Sequence, residues 1–204
     1  GKYSAQATAA ARDLLAMPLS AASKNLLDRS DRDYLYQILT AAGDRSQVAA
    51  AQTQLLLPNG QIDRGALRYL QQTLGEESVA VAIRAWEDPR MPATQKEPLA
   101  RLALSYVGAS DRADQFYESA IADPALSPEA RKNLIEDLNQ DGFANAKKPT
   151  PADLALVERR IALIDRLAPG GARDPIMAAA FAEARKDLVA LRDKALQAPA
   201  KPKP

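Results

Sequence analysis

Apolar residues recur at helical spacing in four segments of the chain, and each segment ends at a glycine. These glycines, Gly43, Gly75, Gly108 and Gly142, follow one another at steps of 32, 33 and 34 residues. When the segments are aligned on them, the positions four and eight residues before the glycine are apolar in every copy except at Gln71. Residues four apart share one face of a helix, so the pattern predicts a buried stripe.

The same alignment separates a leucine core from a polar face. The position three residues before the glycine is polar in all four copies, which predicts an exposed face. These polar residues are Thr40, Gln72, Ser105 and Asn139. The apolar face should be buried, and its predicted core leucines are Leu35, Leu39, Leu67, Leu70, Leu104, Leu134 and Leu138.

Glycine, proline and capping residues set the expected bounds of the helices. Glycine reaches the left-handed conformation that ends a helix at little steric cost. A first helix is predicted over 3–16 and a short one over 20–27. Helix pairs should follow over 31–42 and 44–57, over 62–74 and 76–87, and over 95–107 and 111–122. A fourth repeat begins with the cap Ser127 and the first-turn proline Pro128, and it runs to Gln140.

Two helices in each period of this length predict a stacked array. The expected fold class is all-α, with antiparallel helix pairs stacked as an α-solenoid (a right-handed α-α superhelix) and a C-terminal helical hairpin. The hairpin consists of helices over 153–168 and 175–197, separated by the turn Pro169-Gly170-Gly171. The predicted organisation is a repeat array over 1–142, a linker over 143–151, a helical pair over 152–197 packed on the array, and a flexible proline–lysine tail over 198–204.

Residues 102–124 resemble a tetratricopeptide repeat. The residues that carry the resemblance are Tyr106, Gly108, Ala113, Ala120, Asp123 and Pro124. Where that family has a small residue on its first helix, this chain has Tyr36, Arg68 and Arg101. The segment 122–138 is also similar to a HEAT-type repeat, so both repeat types stay open. Either resemblance implies a concave surface lined by the first helix of each pair.

Composition excludes several classes of chemistry. The 204 residues include 27 basic and 26 acidic side chains, for a net charge of +1, and contain neither histidine nor cysteine. Thiolate zinc sites, cysteine nucleophiles and serine–histidine triads are therefore excluded. The balanced charge argues against nucleic-acid binding. No stretch approaches the length of an apolar membrane span.

No catalytic residue, cofactor or metal site is predicted from the sequence. Acid pairs such as Glu76-Glu77 and Glu136-Asp137 lie near helix ends. Catalysis by paired acids needs two carboxylates that converge across a cleft, one of them with a raised pKa. Helix-dipole complementarity is the simpler explanation for such acids.

The sequence therefore predicts a non-enzymatic helical-repeat scaffold that binds a protein or peptide. The predicted partner-binding residues are Thr40, Tyr69, Gln72, Ser105, Tyr106, Asn139 and Gln140. The alternative is an accessory helical domain of a larger envelope protein, or of an enzyme that acts through carboxylates in a groove. The oligomeric state stays open. The chain is expected to be part of a longer polypeptide, with export as one interpretation of its compartment.

Overall fold

The computed structural model describes residues 4–17, 29–139 and 150–197, and this part of the chain is all-helical. Its α-helices are α1 (Ala5–Leu15), α2 (Arg29–Ala42), α3 (Val48–Thr53), α4 (Arg64–Leu74), α5 (Ser78–Glu87), α6 (Glu97–Leu104), α7 (Asp111–Ala122), α8 (Pro128–Glu136), α9 (Pro151–Gly171) and α10 (Pro175–Gln197). Short 3-10 helices occur at Gly75–Glu77, Ala93–Gln95 and Asp137–Asn139. The described residues form no β-strand; they contain an isolated bridge between Leu56 and Ile62.

The chain divides into two compact units, Gly1–Leu99 and Ala100–Pro204. The boundary lies inside α6. The domain organisation predicted from the sequence, with an array over 1–142, stays a prediction. Some predicted segments lie outside the described residues: the helix over 20–27, Gly142 and the tail over 198–204. Of the predicted linker over 143–151, the structure describes only residues 150 and 151.

In the first unit, α2 packs against both α1 and α4, and α4 also contacts α3 and α5. A buried ion pair joins α2 to the start of α4: Arg32 Nε lies 2.6 Å from Asp63 Oδ2, and both side chains are almost completely buried. Asp63 also caps α4, because its other carboxylate oxygen accepts the backbone N–H of Ala66. Gly65 allows this close packing, since a Cβ there would lie 2.7 Å from the Cα of Asp33.

In the second unit, α10 packs along α9 and against α8, while α7 contacts α8 and α9. The buried guanidinium of Arg160, on α9, donates to three carbonyl oxygens. These are Leu104 at the end of α6, Val107 in the following turn, and Leu138 in the last 3-10 helix. The carbonyl groups of Val107 and Leu138 thus find their donor on α9, and that of Leu104 gains a donor beside the backbone N–H of Val107 at 3.3 Å.

The predicted leucine core is confirmed. All seven leucines are buried, and the least buried of them, Leu67, exposes 8% of its surface. Gln71, the polar exception in the apolar stripe, is half-buried. The register read from the glycine spacing therefore places the apolar face of each described first helix correctly.

The predicted left-handed glycines are confirmed where the structure describes them. Gly43, Gly75 and Gly108 have φ of 68°, 57° and 86°. Gly43 and Gly75 follow directly after α2 and α4. Helix α6 instead ends at Leu104, and Gly108 lies in the turn that follows it.

Helix α3 is shorter than the predicted segment 44–57, so that prediction is wrong at both ends. Asp44 Oδ1 accepts the backbone N–H of Ser46 at 2.8 Å, and the turn this makes delays the start of the helix to Val48. Beyond Thr53 the chain forms a hairpin-like bend, in which the N–H of Leu57 donates to the carbonyl oxygen of Gln61 at 2.8 Å.

The predicted turn at Pro169-Gly170-Gly171 is also wrong, because these residues form the last part of α9. Tertiary packing overrides their local preference for a turn. Phe181 of α10 packs so closely over Gly171 that a Cβ there would lie 2.7 Å from its ring. The chain turns at 172–174 instead. At its other end α9 begins at Pro151, where Thr150 and Asp153 form a reciprocal capping box.

Candidate partner-binding surface

Two exposed stripes lie on the neighbouring helices α2 and α4. Tyr34 and Gln37 are exposed on α2, three residues apart. On α4 the exposed residues are Arg64, Arg68 and Gln72, each four residues from the next. The same helices turn Leu35, Leu39, Leu67 and Leu70 inward. Together with Asp33, the exposed residues form what we call the α2/α4 surface: Asp33, Tyr34, Gln37, Arg64, Arg68 and Gln72.

Asp33 connects the two stripes. Arg68 Nη1 lies 2.9 Å from Asp33 Oδ1 and 3.1 Å from Oδ2, and Gln37 Nε2 donates to Oδ2 at 3.1 Å. The side chains of Arg68 and Asp33 remain 49% and 31% exposed. An ion pair with this exposure contributes little to stability, so its groups can exchange one partner for another at low cost.

Tyr34 is the large apolar side chain of this surface, with 54% of its area exposed. It lies one position before the buried Leu35 and two before the buried Tyr36. The sequence analysis did not include Tyr34 among the binding residues. The signal was present in the helical phase, because two tyrosines two positions apart cannot both face the core.

The predicted binding residues of the first unit have different environments. Gln72 is exposed. Thr40 is half-buried, and its hydroxyl donates to the carbonyl oxygen of Tyr36 at 2.9 Å. Tyr69 is a packing residue: it is 1% exposed and its hydroxyl donates to the carbonyl oxygen of Asp44 at 2.7 Å. Burial raises the pKa of Tyr69, and its side chain offers no surface to a partner in this structure.

In the second unit, Ser105 is exposed and Tyr106 is half-buried. Ser105 follows Arg101 by four residues, just as Gln72 follows Arg68. Arg101 Nη1 forms an ion pair with Asp137 Oδ2. The side chain of Asn139 and the whole of Gln140 lie outside the described residues.

A groove between α7 and α9 brings three carboxylates together, which is the arrangement that acid–base catalysis would require. Its volume is about 390 Å³, and it is lined by Asp111, Asp114, Gln115, Glu118, Arg159, Ala162 and Arg166. Arg159 binds both Asp111 and Asp114, and Arg166 binds Glu118. Asp114 also accepts the backbone N–H of Gly108 at 2.6 Å. Each acid thus has a cationic partner, as expected of groups that hold two helices together.

Two carboxyl groups outside this groove have a lowered pKa. Hydrogen bonds from Arg90 lower the pKa of the exposed Asp88 to about 2. Hydrogen bonds from Thr150 lower that of Asp153. A general acid would need a raised pKa. In residues 4–17, 29–139 and 150–197 there is no group of three or more acidic side chains placed to hold a metal ion.

Trp86, the one tryptophan of the chain, is half-buried near the end of α5. The ammonium group of Lys96 lies 4.6 Å from the centroid of its ring system.

Among the helices that the structure describes, none combines the length and the apolar character needed to cross a membrane. Comparisons with models of protein families, with curated proteins and with solved structures each found no match to this chain.

Proposed function

We propose that this protein is a non-enzymatic helical-repeat scaffold that binds a protein or peptide partner through the α2/α4 surface. The observation that carries the proposal is the junction of two exposed stripes by the Asp33–Arg68 ion pair, with the exposed Tyr34 next to Asp33 in the sequence of α2. Solenoid repeats use their exposed helix faces in this way because each repeat buries only the sides that meet its neighbours.

Arginine recurs at one register position of the predicted repeats, and it forms an ion pair in both copies. Arg68 and Arg101 both lie seven residues before a left-handed glycine, Gly75 or Gly108. Each binds an aspartate of a neighbouring predicted repeat. Arg68 binds Asp33 in the first unit, and Arg101 binds Asp137 in the second unit. The two arginines share a register position, but their aspartates do not: Asp33 belongs to the preceding predicted repeat and Asp137 to the following one. The tetratricopeptide and HEAT types of packing both accommodate this arrangement.

The chemistry of the surface favours a polypeptide partner. Tyrosine and arginine are the side chains that most often dominate protein–protein binding energy, because they combine a large contact area with hydrogen bonding. Gln37 and Gln72 add amide donors and acceptors that can pair with a peptide backbone. The charges of Asp33 and Arg68 balance, so specificity would come from hydrogen bonds and shape more than from net charge.

The test is affinity capture with a variant of the surface and a matched control. The surface variant combines Tyr34→Ala, Gln37→Ala and Gln72→Ala. The control combines Gln61→Ala, Gln115→Ala and Gln197→Ala, three exposed neutral residues elsewhere. All three proteins should show the same circular dichroism spectrum.

A partner that is retained by the wild type and by the control should be retained at least about tenfold less by the surface variant. Equal retention by all three proteins would contradict the proposal. Mapping the contact by a photo-crosslinker at Gln37 gives a second readout, because the partner must crosslink there and not at Gln115.

A further inference from the structure

A groove in the first unit lies between α5 and the end of α3 with the bend that follows it. Its volume is about 320 Å³. Five apolar residues line what we call the α3/α5 groove: Leu55, Val81 and Met91 are buried, and Leu56 and Ala85 are half-buried. The wall formed by α5 runs from Val81 to Asp88. That is about 10 Å of helix, the length of about three residues of an extended chain.

The bend leaves one backbone edge open, at Leu56. Leu56 pairs with Ile62 in the isolated antiparallel bridge. The hydrogen bonds on either side of this bridge run from the N–H of Leu57 to the carbonyl oxygen of Gln61 and from the N–H of Asp63 to the carbonyl oxygen of Leu55. Residues between two such bonds form a non-hydrogen-bonded pair, in which the N–H and C=O groups of each residue point away from the other residue.

The two outward-facing edges of this bridge differ in what they bind. The N–H of Ile62 donates to Gln95 Oε1 at 3.1 Å. The N–H and C=O of Leu56 form no hydrogen bond within residues 4–17, 29–139 and 150–197. Because Leu56 is also a lining residue, an unpaired edge lies beside the groove. Open edges of this kind bind a further extended chain, whose backbone supplies the missing partners.

The rim of the groove carries one positive charge in excess, at Arg84. Asp88 lies four residues further along α5, the usual distance for an ion pair on a helix. Its carboxylate is already bound by Arg90, whose Nη2 lies 2.6 Å from Asp88 Oδ2. The exposed Arg84 forms no ion pair with any residue that the structure describes. Two arginines and one aspartate therefore leave a charge that favours an acidic side chain of a ligand.

From the open edge, the apolar lining and the unpaired charge, we propose that the α3/α5 groove binds an extended peptide that carries an apolar and an acidic residue with one residue between them. The peptide backbone pairs with the N–H and C=O of Leu56. Alternate residues of an extended chain point to the same side, so the apolar side chain packs near Val81 and Ala85 while the carboxylate binds Arg84. This site is independent of the α2/α4 surface, because the two share no residue.

The experiment is a selection from random heptapeptides displayed on phage, with the full chain as the target. The library is first depleted on Ala85→Phe, which fills the groove, so that the sequences that remain depend on the groove. We expect the enriched peptides to share an apolar and an acidic residue separated by one position. Enriched peptides are then synthesised, and their affinities are measured by fluorescence anisotropy.

Arg84→Gln should weaken binding of these peptides about tenfold or more, because the carboxylate loses its cationic partner. Arg45→Gln is the matched control, since it removes another exposed arginine of the same unit that does not line the groove. The variant that combines Tyr34→Ala, Gln37→Ala and Gln72→Ala should bind the peptides as the wild type does. Failure of this proposal is thereby distinguished from failure of the proposal for the α2/α4 surface.

Methylation of single backbone nitrogens of the peptide tests the pairing with the edge. Methylation at one position should weaken binding about tenfold or more, and methylation at the positions next to it should not, because neighbouring amides of an extended chain point in opposite directions. Equal effects at neighbouring positions would show that the peptide binds without pairing to Leu56.

The other contradicting results are no enrichment after depletion, enriched peptides without the acidic residue, and equal affinity of Arg84→Gln and Arg45→Gln. If Ala85→Phe does not fold, the library is depleted on Arg84→Gln instead, a change at an exposed side chain. An absence of enriched peptides then decides against the proposal.

Discussion

A Cβ atom on Gly108 would lie 2.9 Å from Cδ1 of Leu156. The turn after α6 and the helix α9 therefore meet at a point where only glycine fits. Gly108 also has φ of 86°, a conformation that other residues adopt with strain. Steric fit and backbone conformation thus require glycine at this position for separate reasons.

Gly108→Ala should lower the free energy of unfolding by more than about 2 kcal/mol, because the strain of the left-handed backbone adds to the clash with α9. Gly43→Ala, with φ of 68° and no atom near the added Cβ, should cost only the strain, about 1–2 kcal/mol. Gly170→Ala should leave the free energy of unfolding nearly unchanged, because a Cβ there meets no atom within 4 Å. Urea unfolding followed by circular dichroism measures the free energy of unfolding of all three variants. If Gly108→Ala and Gly43→Ala lower it by the same amount, then α9 moves to make room for the added Cβ.

Arg160→Met should destabilise the protein by about 2–5 kcal/mol, because it removes the donor to the Val107 and Leu138 carbonyl oxygens and one of two donors to that of Leu104. Arg159→Met is the matched control. The Arg159 side chain is 45% exposed and makes surface ion pairs, so its loss should cost about 1 kcal/mol or less. The same urea titration compares the two variants. If Arg160→Met lowers the free energy of unfolding no more than Arg159→Met does, then water molecules replace the guanidinium as donors to the carbonyl oxygens.

The leucine stripe gives a third prediction. Leu70 is completely buried, and Leu70→Ala should cost about 2–5 kcal/mol through lost apolar burial and the cavity left behind. Leu196, at 62% exposure, supplies the control, and Leu196→Ala should change stability by less than about 0.5 kcal/mol. Thermal or urea unfolding distinguishes the two, and similar losses would contradict the burial of the stripe.

A pH-dependent contribution to stability is expected at Asp44. Burial raises the pKa of its carboxyl, but hydrogen bonds from Ser46 and Arg12 outweigh this and hold the pKa below the ordinary value of 3.8. A carboxyl with a lowered pKa in the folded state stabilises the protein above its ordinary pKa. That contribution disappears as pH falls through the lowered value.

Asp44→Asn should therefore be less stable than the wild type at pH 6, and the difference should shrink as the pH falls below 3.8, the ordinary pKa of the carboxyl. Urea unfolding of both proteins at several pH values measures it. Arg12→Gln should reduce the same pH-dependent difference, because it removes one of the groups that lower the pKa. A difference that stays constant between these pH values would remove Asp44 as the source.

Local patterns predicted the buried face because burial follows helical phase, which the sequence shows directly. Leu35, Leu39 and Leu134 lie where the register on the glycines places them, and all are buried. The left-handed glycines were predictable for a similar reason, since their conformation is a local property of the residue.

Contacts between distant segments were not predictable from these patterns. Arg160 looks like another surface charge beside Arg159, and only the carbonyl groups brought to it by folding make it a buried residue. Tyr69 belongs to the same class, because its burial depends on the turn at Asp44. The continuation of α9 through Gly171 depends on Phe181, ten residues further along.

The exposure of the predicted binding residues could be read from the sequence only in part. Gln72 and Ser105 were placed on an exposed face by their register, and both are exposed. Tyr34 was missed, although its helical phase, two positions from the buried Tyr36, was available from the sequence.

Arg160 has a consequence for the order in which the second unit assembles. The chain segments that end at Leu104 and Leu138 are synthesised before the residue that completes their hydrogen bonds. Until α9 docks, the carbonyl groups of Val107 and Leu138 must remain in water, so the segments that carry them cannot be buried. The second unit should therefore reach its native state in one late, concerted step, and not by adding one finished helix pair after another.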